Sequence, residues 1–376
     1  MKRRDFVKLS ALSCFGLLQK THSYALTKTM DNKSLEYKIA QMIITDTPKN
    51  GVTNEFLEYI SYYNIGGVYL HDTILNDKIS AKKNIELIKK CFSITPFIAT
   101  DLEGGKVNRL HKIKSFPSAR SVGKLYENNY VSEKSEYRRD IYVNNVTFKT
   151  IIQQKASLLE DLGINLNFDP VLDLCSLNSR SYSSDPLIVS AIASELINIY
   201  KDKNILATAK HFPGIGLVKG DSHKCLPVLR RKKQQIHNYE LIPFKAVIKK
   251  VPLIMISHII TEDYDKERPS SLSYEVITTL LRKELGYEGI VITDELGMRA
   301  IDDYYSKKGI FSTKKVERLC IDAVKAGNDI LLYFDYKKIP LIISSIKNGV
   351  VTGEIKKEQI EESFERIILY KYLYSL

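Results

Sequence analysis

Lys210-His211-Phe212-Pro213-Gly214-Ile215-Gly216, with apolar or β-branched residues at 205–208 before it and Asp221-Ser222-His223 after it, is the stretch whose reading decides the fold. The apolar run predicts a strand that passes into a glycine-rich loop carrying a carboxylate and an imidazole two residues apart. Gly214, Gly216 and Gly220 leave that loop conformationally free. A basic pair at the carboxyl end of a strand, followed by a polar loop, is the layout expected at the mouth of a β/α barrel. Such barrels collect their reactive side chains at that end.

Working outward, strand-like runs occur at 41–45, 67–70, 96–101, 165–173, 207–212, 253–258, 289–294 and 329–334. Between them, 82–92, 188–200, 239–249, 274–285 and 314–326 place apolar residues three and four apart, as amphipathic crossover helices do. Helical crossovers imply parallel strands. A doubly wound open sheet has the same alternation, but the count of eight favours closure, so the fold class read here is α/β, a single TIM-type (β/α)8 barrel with irregular units allowed. Residues 121–146 are polar, tyrosine-rich and aperiodic, and read as an insertion or lid between the third and fourth units. No internal repeat and no linker rich in Pro, Gly or Ser divides the rest, so 26–376 reads as one domain.

The N-terminus reads separately. Lys2-Arg3-Arg4 and Lys8 form a basic region, 9–18 a short apolar run, and Ser23-Tyr24-Ala25 a small-x-small cleavage site, which together resemble a twin-arginine export signal over 1–25. The expected location is periplasmic, after export by the twin-arginine machinery and cleavage near Ala25, with a cytoplasmic location as the alternative. The apolar run falls short of the roughly 20 residues that a membrane span needs, so no stable membrane span is expected. The formal charge is +12 and falls to +8 without residues 1–25. The lysines are dispersed, and no basic block interleaved with aromatics points to nucleic acid. Cysteines at 14, 91, 175, 225 and 320 have no metal-ligand spacing. No metal or organic cofactor is implied, and the thiols of a chain exported after folding are expected to be buried and free.

Several expected strands end in polar residues: Asp101 after the third, Asn165 to Asp173 in the fourth, His258 at the sixth, and Asp294-Glu295 at the seventh. A charge retained at such a place needs a partner or a task. Asp101 or Asp294 alone could equally cap the helix that follows. Taken together, the strand ends converge on one barrel mouth.

The ordered motifs DLEGGKVNRL (101–110), FPSAR (116–120), NLNFDPVLDL (165–174), SRSYSSDP (179–186), KHFPGIG (210–216), DSH (221–223), SLS (271–273) and ITDELGM (292–298) resemble glycoside hydrolase family 3, in its single-domain β-N-acetylhexosaminidase branch of the NagZ type. The resemblance implies Asp294 as the nucleophile, His223 as the general acid and base, and Asp221 as the partner that orients and charges its imidazole. It implies Asp101, Arg109, Arg180, Lys210 and His211 as sugar-binding residues. Retaining hydrolysis usually employs two carboxyl groups about 5–5.5 Å apart. Here a histidine takes the place of one, and an unperturbed imidazole, titrating at about pH 6.5, can both donate and accept the proton.

The resemblance thus implies a retaining enzyme that removes terminal β-linked N-acetylglucosamine from peptidoglycan fragments or chitooligosaccharides through a covalent glycosyl-Asp intermediate. A phosphorylase acting on the same glycosides and a non-catalytic cell-wall-binding barrel are the alternatives. Two positions depart from the family pattern. Ile215 stands where a histidine is usual, and Glu295 where the second acidic residue follows the nucleophile. The chain ends soon after the eighth unit, so the extra C-terminal domain that carries the acid in related β-glucosidases is not expected.

Overall fold

Strands alternate with helices through the computed structural model, which describes residues 32–134, 147–175, 177–218 and 220–376. The expected export signal, 1–25, lies outside the described residues. Eight strands build the central sheet: β1 (Ile43–Asp46), β2 (Gly67–Tyr69), β3 (Phe97–Thr100), β4 (Leu166–Asn167), β5 (Leu206–Phe212), β6 (Leu253–Ile256), β7 (Ile290–Thr293) and β8 (Leu331–Leu332). They pair in chain order and always in parallel, and β8 returns to β1. A parallel bridge between Ile292 and Ile330 joins β7 to the start of β8 and closes the ring. The fold is therefore the TIM-type (β/α)8 barrel that the eight runs predict.

The crossover helices form for the reasons their sequences suggest. Pro186–Asp202 starts at Asp185, whose carboxylate accepts from Leu187 N at 2.8 Å, with Pro186 in the first turn where its missing N–H costs nothing. Its buried face is Val189, Ile192, Ala193, Leu196, Ile197 and Tyr200. Each fully buried aliphatic side chain contributes about 1.5–3 kcal/mol. Strand burial is equally one-sided in composition: all seven residues of β5 are buried. Parallel strands covered by helices read as continuous apolar runs for this reason.

Three expectations are corrected. The fourth strand is two residues long, not nine. Pro170 has no N–H for a ladder and Asn167 turns its amide onto the backbone of Leu102, accepting from its N–H at 2.9 Å. Only a single bridge, Val171 to Lys210, continues the pairing. The stretch taken as aperiodic from 121 begins inside a helix, Ala119–Lys134. That helix packs on Phe148–Leu162 and Pro186–Asp202, with Val122 buried and a T-shaped contact of Tyr126 on Phe148 at 5.1 Å. Its polar exposed face hid the period, and 135–146 lie outside the described residues. Cys91, Cys175, Cys225 and Cys320 are free, but only Cys320 is buried and Cys225 is exposed, because it sits in the polar loop after β5 and not in a packed element.

No helix among the described residues is long and apolar enough to cross a membrane. At the amino-terminal end of the barrel, Lys371 of Lys357–Leu373 lies buried over the Phe97 ring and donates to Gln41 Oε1 at 2.8 Å. Burial alone pushes its ammonium down to about 7.

Candidate active site

A cavity of about 550 Å³ opens at the carboxyl ends of the strands. Asp101, Arg109, Arg180, Lys210, His211, Asp221, His223 and Asp294 all line it, so the structure brings every site residue expected from sequence to one place.

β5 supplies the floor. Consecutive strand residues ordinarily point to opposite faces, but the register between β5 and β6 shifts between Ala209 and Phe212. Lys210 and His211 fall in that irregularity, and both line the cavity. Lys210 Nζ donates to Asp101 Oδ1 at 2.7 Å and lies 2.7 Å from Glu103 Oε1. Arg180 grips Glu103 with two bonds, Nε to Oε2 at 2.9 Å and Nη2 to Oε1 at 2.7 Å. Burial would raise the Glu103 carboxyl, yet Lys210 and Arg180 outweigh it and hold the group down at about 2. Against its own burial, and against Arg180, the carboxylates of Asp101 and Glu103 keep Lys210 above its ordinary value. A fork of two bonds to a carboxylate fixes the guanidinium plane, and with it the N–H groups left for a ligand.

His211 is oriented from behind. Its Nδ1 lies 2.7 Å from Asp173 Oδ2, while Asp173 Oδ1 accepts from the backbone N–H of His211 and of Ile215 at 3.2 and 2.9 Å. Burial acts to raise Asp173, and His211 with these N–H groups brings it below the usual carboxylate value. The imidazole is thus held by one nitrogen, leaving Nε2 for the cavity. Asp101 is likewise fixed through both oxygens, because Tyr69 Oη donates to its Oδ2 at 2.8 Å. Arg109 Nε donates in turn to Tyr69 Oη at 2.9 Å. Tyr69 lies between Phe334 and Phe168, at ring-centroid distances of 4.7 and 5.8 Å.

Asp294 follows β7 directly and does not cap the next helix. Its Oδ1 accepts from Glu295 N at 2.8 Å, and Oδ2 has no hydrogen-bond partner among the described residues. Burial pushes its carboxyl up, but the charges of His211, His258 and Lys210 and the Glu295 N–H bring it below the ordinary value. His258 does not line the cavity, contrary to the expectation from the end of the sixth strand. It is buried, with Nε2 2.8 Å from Glu295 O and Nδ1 2.7 Å from Ser271 Oγ, and it buttresses the turn that carries Asp294. Glu295 Oε1 accepts from Gly297 N at 2.8 Å and Phe334 N at 3.1 Å. Burial, reinforced by Asp294 and Asp46, raises its carboxyl to about 7.

Asp221 and His223 stand on the exposed loop after β5. Asp221 Oδ1 accepts from the backbone N–H of His223 at 2.9 Å. Its carboxylate is engaged there, and among the described residues no bond joins it to the His223 ring. The expected pairing of carboxylate with imidazole is therefore absent from this arrangement, in which Asp221 orders the main chain of His223. The loop is docked at two points. Ser222 O accepts from Ala300 N at 3.1 Å, and Gly216 passes so close to Leu174 that a Cβ would lie 2.1 Å from its carbonyl oxygen.

Glu103, Asp173 and Tyr69 were given no role from sequence. Tyr69 ends β2, Glu103 follows β3 by three residues, and Asp173 ends the run expected as the fourth strand; Glu103 and Asp173 lie inside motifs already noted, so the strand-end rule contained the signal. Among the described residues, no group of three or more His, Cys, Asp or Glu is placed to hold a metal ion.

Residues 34–369 match the glycosyl hydrolase family 3 N-terminal domain. The chain is 31% identical over 350 residues to beta-hexosaminidase A of Pseudoalteromonas piscicida, covering 84% of this chain and 55% of that protein. It is 27% identical to a beta-hexosaminidase of Pasteurella multocida, covering 86% of this chain and 89% of the relative. Among solved structures, a family 3 β-N-acetylglucosaminidase from Paenibacillus sp. superposes with a TM-score of 0.79 at 27% identity, covering 91% of this chain and 63% of that one. The chain thus spans little more than half of the Pseudoalteromonas relative. A match along nearly the whole described barrel, with the motif residues gathered in one cavity, places this chain in glycosyl hydrolase family 3.

Proposed function

We propose that the protein is a retaining β-N-acetylhexosaminidase that hydrolyses terminal β-linked N-acetylglucosamine. The observation that carries this reading is Asp294. It is a carboxylate at the carboxyl end of β7, kept ionised by surrounding positive groups and with Oδ2 unoccupied, facing a cavity whose opposite wall is set with fixed hydrogen-bonding groups. Similar proteins named beta-hexosaminidase and β-N-acetylglucosaminidase support it.

In this reading Asp294 attacks the anomeric carbon while His223 donates its proton to the leaving oxygen, which breaks the glycosidic bond and leaves a glycosyl-Asp ester. His223, now neutral, takes a proton from water, and the hydroxide formed displaces Asp294. Asp101, Arg109, Arg180, Lys210 and His211 bind the sugar's hydroxyl and acetamido groups. Interlocking beforehand means that little reorganisation is needed as the transition state forms. Asp221 holds the His223 main chain, and its pairing with the ring belongs to the proposed reaction arrangement. The substrates proposed are peptidoglycan fragments or chitooligosaccharides, met in the periplasm after twin-arginine export.

Release of chromophore from aryl β-N-acetylglucosaminide and aryl β-glucoside tests the reading. The expected result is preference for the N-acetyl substrate, with turnover lost by a factor of about a thousand or more in Asp294→Ala while the fold is kept. Inorganic phosphate in the assay should yield no sugar 1-phosphate. Full activity in Asp294→Ala would sink the assignment, and folded protein inactive on both glycosides would favour a binding-only barrel.

A further inference from the structure

The loop that carries His223 begins at the carboxyl end of β5 and ends in the pair Val228–Leu229, which lies parallel to Ile260–Thr261 after β6. Asp221, His223 and Lys224 are exposed on it, so the imidazole is placed by whatever holds the ends of the loop. One buried side chain touches both ends. Glu240, 2% exposed, stands between the helices Lys233–Asn238 and Leu241–Val247. At the first end, Gly214 passes so close that a Cβ there would lie 3.1 Å from Glu240 Cβ and 3.3 Å from its Cγ. Gly214 has φ +120°, so both the turn and the close approach call for glycine. At the other end, two residues past Leu229, Arg231 Nε lies 2.9 Å from Glu240 Oε1.

This carboxylate is not spent on capping. Its side chain makes no cap bond to the helix Leu241–Val247, and among the described residues neither of its oxygens nor Arg231 Nε has a hydrogen-bond partner in good geometry. A carboxylate taken out of water beside a single counter-charge is costly to keep, and here the counter-charge stands at the base of the His223 loop. Arg231 also lies over the Tyr239 ring, 5.6 Å from its centroid, and Tyr239 Oη donates to Ser184 O at 2.7 Å. The motif that holds Ser184 also holds Arg180, whose two bonds fix Glu103. The base of the exposed loop is thereby tied to the sugar-binding assembly through Glu240, Arg231 and Tyr239, none of which lines the cavity.

We infer that Glu240 and Arg231 are positioning residues, which clasp the two ends of the loop and so set where His223 stands relative to the leaving oxygen. This rests on the reading of His223 as the general acid and adds to it two residues that never touch the substrate. Displacing a reacting group by about 1 Å costs up to about a hundredfold in rate, which makes such a clasp matter to turnover.

The test compares kcat/KM for an alkyl β-N-acetylglucosaminide, whose leaving oxygen needs the proton, with that for an aryl one bearing an activated leaving group, which needs it little. Glu240→Ala removes both contacts. It should lower the first value by about tenfold to a hundredfold and the second by less than about threefold, with circular dichroism like that of the wild type. In a His223→Ala background the same substitution should cost nothing further on the alkyl glycoside, because its effect passes through that imidazole. Arg231→Met, at a partly exposed position, repeats both measurements if Glu240→Ala fails to fold. Equal loss on the two substrates, an undiminished loss in the His223→Ala background, or no loss in the folded variants overturns the proposal and leaves the hydrolase reading standing. Folded wild-type protein inactive on both glycosides, or His223→Ala equally impaired on both, overturns the reading of His223 and the proposal with it.

Discussion

Glu103, bound to Lys210 and Arg180 of the cavity lining, and Glu295, itself in that lining, are driven in opposite directions by their surroundings. Glu103, under Lys210 and Arg180, is held down at about 2. Glu295, beside Asp294 and Asp46 with backbone N–H groups as its only hydrogen-bond donors among the described residues, is raised to about 7. Burial acts on both in the same sense, so the difference comes from the cations. The lesson is that Glu103 belongs to a closed ionic assembly built with the fold, whereas Glu295 and the exposed His223 loop stand outside that assembly. The first is suited to holding a polar sugar in one pose, and the second to proton transfer beside a group that must leave.

The strongest way to break this contrast is Glu103→Gln. Removing the one buried carboxylate shared by buried Lys210 and half-buried Arg180 should cost about 3–5 kcal/mol of stability and weaken sugar binding together. Thermal unfolding and KM, measured on the same variant, check both. Retained stability would mean that Asp101 alone can compensate Lys210 and Arg180.

The pH dependence of folding sharpens the same contrast, because the two glutamates act with opposite sign. The Glu103 pKa is depressed on folding, so its contribution is present above the unfolded value of about 4.3 and is lost as pH falls towards 2, amounting to about 3 kcal/mol. The Glu295 pKa is raised. Its contribution is present below about 4.3 and is lost as pH climbs through 7, by about 3–4 kcal/mol. Urea unfolding across pH 2–8 should therefore show Glu103→Gln flattening the acid side and Glu295→Gln flattening the decline towards neutrality.

His223→Ala tests the exposed loop. It should leave thermal stability within about 0.5 kcal/mol, since the side chain is exposed and its loop is held by backbone bonds. It should slow hydrolysis of saccharide leaving groups by about a hundredfold or more, and that of activated aryl leaving groups far less. Equal losses on both would remove His223 from the role of acid. The smallest effect is expected of Tyr69→Phe. Loss of the hydroxyl between Asp101 and Arg109 should cost about 1 kcal/mol of transition-state binding, read as a drop in kcat/KM that disappears with a deoxy sugar lacking the hydroxyl Asp101 holds.

Much of this was legible in the chain. Eight apolar runs separated by amphipathic segments specify parallel strands covered by helices, because only that arrangement buries both faces of each strand. The polar residues ending those runs marked Asp101, Lys210, His211 and Asp294, since a charge there needs a reason to persist. Periodicity is silent where a strand is broken, as at Asn167 and Pro170, and where one helical face is almost wholly polar, as in Ala119–Lys134.

What the sequence determined by itself is the barrel, the order of its units and the end at which the chemistry collects, all of which follow from local pattern and chain connectivity. Tertiary structure alone decided which charges meet. Glu103 is joined to Arg180 across 77 positions, and Asp101 to Lys210 across 109. The register shift of β5 brings both Lys210 and His211 to the cavity, and Asp221 is engaged by the His223 main chain and not its ring. Pairing depends on distance and desolvation in the closed barrel, and neither quantity is encoded in any window of neighbouring residues.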